Sequence, residues 1–455
     1  MKKLLLGAAA CMLTLSAMNA QTVKDPATYP EVEGYQITNL WAQCSKLGNK
    51  PAEIIGANNR GMTVYKGKIY VTNRVSDIGS LLVYDATTGA FEKKINLPDS
   101  IAKASWACND IQVDDAGHLL IANMATDLAK GRFLVYSYNL DDGTYSKVLE
   151  YSCADNPSWR IDAFGVYGDI TKDGFLMAAI AKGPTVGGDF VLRWNFEKGV
   201  YKPFNNVELG VIGAKYIQIK AYCPAQKPIE GNSDGPRVTP IDSEYFYLDG
   251  QASYATMYDM DGNIVESFLD PSFADFRPAQ PGNNGVDEFS YGGDNFVVYV
   301  CANTAVKEYP QAWNICKLGT GQTFAGMKKI ARIPEGGLGS ESNAVRTALP
   351  RIEIKADGAY IYVFATNGGM AAYKMEKVAG AGVESSVADN FFIVARDGKI
   401  VLSENADVEV YSIAGQKIST AANAMEMNAP ANKGIYLVKA ILANGTQKVQ
   451  KIVVE

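Results

Sequence analysis

One short pattern constrains this chain more than any other feature: an aromatic, Asp or Asn, three loop residues, Gly, one residue, and a second aromatic. It occurs as Tyr84-Asp85-Ala86-Thr87-Thr88-Gly89-Ala90-Phe91 and as Tyr138-Asn139-Leu140-Asp141-Asp142-Gly143-Thr144-Tyr145. It occurs again as Trp194-Asn195-Phe196-Glu197-Lys198-Gly199-Val200-Tyr201. A shorter copy runs from Tyr258 to Ile264, and a degraded one lies around Gly321 between Cys316 and Phe324. The pattern describes a β-hairpin in which the Asx side chain caps the turn and Gly takes the positive φ that closes it. Recurrence of one hairpin at roughly even spacing predicts repeated small sheets rather than one large sheet.

Between the hairpins the chain alternates apolar and polar residues, with tight turns at Lys66-Gly67, Asp115-Ala116-Gly117, Asp173-Gly174, Gly292-Gly293 and Asp357-Gly358. Four strands with a tight first turn and an outer hairpin make a propeller blade. Blades are expected at about Gly61–Ile95, Asp110–Glu150, Asp162–Lys202, Val238–Leu269, Phe289–Ile333 and Arg351–Met375. The last of these lacks a fourth strand, whereas Tyr35–Trp41 reads as a strand without a nearby partner. Pairing the two would close the ring without leaving an open edge. The expected fold is all-β, a six-bladed β-propeller over residues 34–378 followed by a small β-sandwich.

Residues 1–20 read as a signal peptide, with Lys2 and Lys3 ahead of the apolar run Leu4–Leu15 and a cleavage point after Ala20. Cleavage at Ala8-Ala9-Ala10-Cys11 would leave too short an apolar region, so lipidation is not expected. No later segment reaches transmembrane length. Removing residues 1–20 takes away two lysines and no acids, moving the formal charge from −6 to −8. That balance argues against nucleic acid as a partner, since phosphate contacts need surplus Lys and Arg. Six cysteines remain in the mature chain. Cys301 and Cys316 fall in neighbouring predicted strands and are the first pair a disulfide would join, but buried free thiols are the favoured reading.

The run Val378-Ala379-Gly380-Ala381-Gly382 is small and flexible, and residues 379–390 are expected to link the propeller to residues 391–455. Alternation there resumes at Phe391–Ser403, Val408–Ile418, Gly434–Ile441 and Gln447–Val454. The segments Val410-Tyr411-Ser412-Ile413-Ala414-Gly415-Gln416-Lys417-Ile418, Lys433-Gly434-Ile435-Tyr436-Leu437-Val438 and Lys448–Val454 resemble the type IX (Por) secretion C-terminal sorting domain of Bacteroidetes. This resemblance covers roughly the last 70 residues and implies passage through export machinery to the outside or to the outer-membrane surface. The central region resembles secreted Bacteroidetes propellers of unknown function, which brings no catalytic residues with it.

Propellers place ligands where the innermost strands and their loops converge, so the residues preceding each first strand are the candidates. They are polar: Asn59, Arg60, Asn109, Asp110, Arg160, Asp162, Arg237, Asn284, Asp287, Glu288, Asn343 and Arg346. The ligand-binding set drawn from them is Arg60, Asp110, Asp162, Arg237, Asp287, Glu288 and Arg346. Alternating Arg and carboxylate could grip a glycan or small polar ligand, or pair among themselves in a scaffold that meets an envelope protein. His118 is the sole histidine, which excludes a multi-histidine metal centre, and as the residue after a turn it is expected to face solvent. Gly337-Leu338-Gly339-Ser340-Glu341 lacks the closing glycine of a G-x-S-x-G elbow. Asp259-Met260-Asp261-Gly262-Asn263 has Ile264 where a calcium loop needs Gly, so it reads as a turn. No cofactor is expected, though Asp110, Asp162, Asp287 and Glu288 offer ligands for calcium or an acid and base for a glycosidic bond. Trp106, Trp159 and Trp313 lie near loops and could stack on sugar rings, with packing the commoner role of such residues. The leading expectation is therefore a non-catalytic binding protein. A carboxylate- or calcium-dependent hydrolase or lyase is the alternative, and an envelope scaffold the second.

Overall fold

The computed structural model describes residues 28–153, 159–180, 190–203, 213–219, 236–250, 253–268, 271–276, 285–302, 311–339, 341, 347–378, 393–396, 398–412, 416–442 and 447–454. Residues 1–20, read as a signal peptide, residues 379–390, read as a linker, and Asn284, Asn343 and Arg346 lie outside the described residues. The chain divides into two compact units, Met1–Glu376 and Lys377–Glu455.

The first unit contains six antiparallel sheets among its described residues, four of them built from strands in strict sequence order. Blade 1 holds Met62–Tyr65, Lys68–Val75, Ile78–Asp85 and Phe91–Asn96. Blade 2 holds Asp110–Val113, Leu119–Ala122, Phe133–Tyr138 and Tyr145–Tyr151. Blade 3 holds Gly165–Tyr167, Phe175–Ala179 and Phe190–Glu197, whose far edge pairs with both Val200–Lys202 and Lys215–Gln218. Blade 4 holds Arg237–Pro240, Tyr245–Gly250, Ser253–Asp259 and Ile264–Ser267. Blade 5 holds Val286–Tyr291, Asp294–Ala302, Ala312–Lys317 and Lys328–Ile333. Blade 6 holds Ala348–Lys355, Gly358–Ala365 and Gly369–Lys377, and its outermost strand is Tyr35–Cys44 from the other end of the unit. The orphan strand thus completes the three-stranded blade, as its missing partner required.

Alternation along each strand explains why the sheets form a ring. Successive side chains point to opposite faces, so Leu82 and Tyr84 pack toward blade 6 while Leu81 and Val83 pack toward blade 2. Each of the six junctions between neighbouring blades has its own apolar cluster. The innermost strands touch in the order 1, 2, 3, 4 and again 5, 6, 1. Thr239 of blade 4 joins the two arcs by donating to the Val286 carbonyl of blade 5 at 3.2 Å. Trp41 of the closing strand is 1% exposed in the junction between blades 6 and 1, with its indole N–H on the Ala86 carbonyl at 3.0 Å.

The hairpins follow the sequence pattern with one exception. Asp85 Oδ1 accepts from the amides of Thr87 and Thr88 at 3.0 Å, and Gly89 has φ +74°. A Cβ on Gly89 would also come within 2.7 Å of the Trp41 ring. Asn139 and Asp259 cap their turns in the same way. In the blade 3 copy, however, the turn is the two-residue Lys198-Gly199 with both φ positive, and Asn195 instead accepts from Arg193 Nε. Cys44, Cys108, Cys153, Cys301 and Cys316 are buried free thiols, and Cys316 sits opposite Val297, four residues from Cys301. Burial pushes the Cys301 thiol up to about 11 and the Cys316 thiol up to about 12.

The described residues of the second unit form one five-stranded sheet, Ile393–Arg396, Lys399–Ser412, Lys417–Asn428, Gly434–Leu442 and Gln447–Val454. Lys399–Ser412 is the hub: Lys417–Asn428 runs along one side, while Ile393–Arg396 and Gly434–Leu442 share the other. Ile400, Leu402, Val408, Val410, Val438 and Ala440 form its core.

Candidate functional site in the central channel

The six innermost strands surround a cavity of about 360 Å³, and every blade contributes to its wall. Thr63, Gln112, Val166, Arg237, Thr239, Asp287 and Arg351 are among the lining residues. An innermost strand has no inner neighbour, so its edge turns backbone polar groups toward the axis. With the polar side chains added, the channel is a hydrophilic chamber.

Arg237 spans it at the end where the innermost strands begin. From blade 4 its Nη1 donates to Asp110 Oδ2 of blade 2 at 3.0 Å and its Nη2 to Asp110 Oδ1 at 3.1 Å. The same Nη2 donates to the Arg60 carbonyl of blade 1 at 3.0 Å. Blade 1 lies opposite blade 4 in a ring of six, so this guanidinium crosses the channel axis. Both side chains are buried, at 7% and 0% exposure. Asp110 also accepts from the Phe164 amide at 3.1 Å, which ties blade 3 to the same carboxylate. Sequence reasoning left Arg237 and Asp110 either to grip a ligand or to pair among themselves. They are each other's partner, and the pair is a crossbar linking four blades.

A second cluster lies beyond the same strand starts. Arg160 holds Asp162 through Nε to Oδ2 at 2.7 Å and Nη2 to Oδ1 at 2.5 Å, and Arg60 Nη1 stands 3.8 Å from Asp162 Oδ1. Met124 Sδ packs between the two arginines, 3.3 Å from Arg160 Nη2 and 3.8 Å from Arg60 Nη1. Asn109 donates to the Asp162 carbonyl at 2.6 Å. Asn59 caps the preceding loop by accepting from the Ile55 amide at 2.8 Å.

Asp287 and Glu288 are consecutive strand residues and therefore point to opposite faces. Asp287 faces the cavity, and its only hydrogen bond among the described residues is from the Glu288 amide at 3.0 Å. Burial raises its carboxyl to about 6, against the pull of the Arg351 charge. Glu288 turns away from the axis to accept from the Tyr247 hydroxyl at 2.9 Å, and burial raises it to about 7. The four carboxylates considered as calcium ligands are thus divided: Asp110 is on Arg237, Asp162 on Arg160, Asp287 in the cavity and Glu288 on Tyr247. A different set, Asp114, His118 and Asp169, brings its ligand atoms within 4.8 Å of one another. These groups already bond internally. His118 Nδ1 is 2.9 Å from Asp114 Oδ2, which also accepts from the Ile170 amide, while Lys172 reaches Asp169 at 3.0 Å.

Sequence reasoning missed Asp249, Arg351 and Gln112. Asp249, next to last in the second strand of blade 4, pairs opposite Arg237 and accepts from the Gly285 amide at 2.5 Å. Burial raises its carboxyl to about 7. Arg351 donates to Gln112 Oε1 of blade 2 at 3.2 Å and to the Pro350 carbonyl at 2.8 Å, while Gln112 donates to the Phe164 carbonyl at 2.9 Å. The available signal was an Arg or Gln at an alternating position within a first strand, where an apolar residue is the rule.

The tryptophans separate sharply. Trp159 and Trp313 are 1% and 0% exposed inside blade junctions, whereas Trp106 is 42% exposed. The Arg74 guanidinium lies 4.4 Å from the centre of its ring. Trp106 and Cys108 have φ +52° and +50°, which costs about 1–3 kcal/mol each for residues with a side chain.

No family model matches the chain, and no curated protein matches it. Among solved structures it is similar to the dihydro-heme d1 dehydrogenase NirN in complex with DHE, at 10% identity and TM-score 0.34. That match covers 87% of this chain and 66% of that one. It is also similar to the β-propeller domain of Cps50 (Swd1) from Myceliophteria thermophila, at 9% identity and TM-score 0.35, over 88% of this chain and 99% of that one. The PQQ-bound aldose sugar dehydrogenase from Streptomyces coelicolor matches at 11% identity and TM-score 0.39, over 76% of this chain and all of that one. At these values nothing in those names carries over, and the fold rests on the six sheets themselves.

Proposed function

We propose that this chain is an exported binding protein that takes a small polar ligand into its central channel. The observation that carries this reading is the cavity of about 360 Å³ with walls from all six blades, a size suited to a small molecule. Asp287 offers it a carboxylate with no salt bridge among the described residues, and Arg351 of the neighbouring blade 6 offers a cation. Arg237 of the crossbar also lines the chamber. Export is part of the proposal. Its support is the charged and apolar N-terminal segment, together with the sorting-domain resemblance of residues 391–455. Among the described residues no helix is long and apolar enough to cross a membrane.

Thermal-shift screening of the full chain against sugars, sugar acids, amino acids and dicarboxylates tests the channel reading. At least one compound should raise the melting temperature, and Asp287→Asn should weaken its binding by about tenfold or more, as loss of a charged hydrogen bond does. A panel without a binder, or unchanged affinity in Asp287→Asn, overturns it.

A further inference from the structure

Four of the five tryptophans are at most 1% exposed, and the fifth is displayed. Trp106 stands in the loop that delivers the innermost strand of blade 2, three residues before Asn109. Its backbone is fixed rather than loose. The Trp106 carbonyl accepts from the Met124 amide at 3.1 Å, and the Ser105 carbonyl accepts from Asn123 Nδ2 at 3.1 Å. Ala107 and Cys108 are buried beside Gly79, where an added Cβ would meet Cys108 Cβ at 2.7 Å, and Cys108 Sγ donates to the Ser80 carbonyl at 3.2 Å. These anchors hold two left-handed residues in place and leave the indole outside. A bulky residue in that conformation is an outlier that persists only where its surroundings over-determine it.

The surroundings are those of an amphipathic ligand. Arg74, itself 8% exposed, stacks on the indole, with Asp77 acting on its charge from the adjoining turn. Val75 and Ile78 flank that turn at 47% and 53% exposure. Met124, bonded to the Trp106 carbonyl, carries on its sulfur the contacts to Arg60 and Arg160 beside Asp162. An indole backed on one face by the Arg74 guanidinium and 42% exposed otherwise suits a ring that is apolar on one side and ringed by hydroxyls.

We infer that Trp106 is the stacking platform of a saccharide-binding site on the strand-start face, built by the loops of blades 1 and 2. Trp106 is not among the residues that line the channel chamber, and the site stands independently of the channel reading. Preorganisation by the buried Ala107-Cys108 anchor lowers the ordering cost of binding.

The test is titration of the full chain with neutral and uronate-containing oligosaccharides, followed by tryptophan emission and calorimetry. Binding should shift the emission of the exposed indole and protect it from acrylamide. Trp106→Ala should lose tenfold or more in affinity with an unchanged melting temperature, while Trp106→Phe should retain most of the affinity and lose the spectral response. Absence of saccharide binding overturns the inference, as does equal affinity in Trp106→Ala. If saccharide binding persists in Trp106→Ala and disappears in Asp287→Asn, the sugar belongs to the channel and the platform is refuted alone.

Discussion

Replacing Arg237 by Ala removes three hydrogen bonds at once: Nη1 and Nη2 to Asp110 and Nη2 to the Arg60 carbonyl. It strands Asp110, whose side chain is 0% exposed, with the Phe164 amide as its remaining bonded donor in the set described above. Breaking a buried pair by deleting one partner costs about 3–5 kcal/mol, because the other charge stays out of water. Removing both charges is far milder, so Arg237→Met with Asp110→Asn should fall within about 2 kcal/mol of the parent. The single variants Arg237→Met and Asp110→Asn and the double variant form a cycle whose coupling should be several times a surface salt bridge, for which about 1 kcal/mol is the upper range. Urea unfolding followed by tryptophan emission reads the change, since Trp41, Trp159, Trp194 and Trp313 are buried in the blade junctions. An Arg237→Ala cost below about 1 kcal/mol, or a double variant whose loss equals the sum of the singles, would refute the crossbar. A loss of ligand affinity with unchanged stability would return Arg237 to the role its sequence position suggested.

Two further outcomes follow from the buried carboxyls and the tail. Asp249, Asp287 and Glu288 are all raised by burial, to about 7, 6 and 7. They hold protons more tightly folded than unfolded, so their contribution is fully present below the unfolded value of about 4 and is lost as pH rises toward 7. Unfolding midpoints measured between pH 4 and 7.5 should fall less steeply in Asp249→Asn and Glu288→Gln than in the parent, and parallel curves would contradict the assignment. Deleting residues 391–455 should leave the protein inside the producing cell envelope while the propeller stays folded. Surface or medium localisation of the truncated chain would remove the tail from export.

The repeated hairpin was legible because its chemistry is local. An Asx cap and a positive-φ Gly lie within one turn, and Asp85–Gly89 and Asn139–Gly143 form it as written. The Trp194–Tyr201 copy shows the limit, since Lys198-Gly199 closes a shorter turn inside the same spacing. Closure by Tyr35–Cys44 was legible by subtraction, as one strand and one blade each lacked a partner. The channel was not. Arg237 and Asp110 are 127 positions apart, and only a ring that brings blade 4 across to blade 2 makes them partners. Asp249 and Arg351 escaped notice because the search stopped at residues preceding the first strands. The fate of the tryptophans was equally hidden: Trp106 and Trp159 both stand in loops, and only the packing of blade 3 buries the second.

The measurement that bears most directly on the channel is a crystal structure of the full chain soaked with the compound that stabilises it most. Density is expected on the propeller axis, within hydrogen-bond distance of Asp287 and Arg351, with the Arg237–Asp110 pair intact. Density confined to the outer rim of the blades, or a channel filled only by ordered water at saturating ligand, would contradict it.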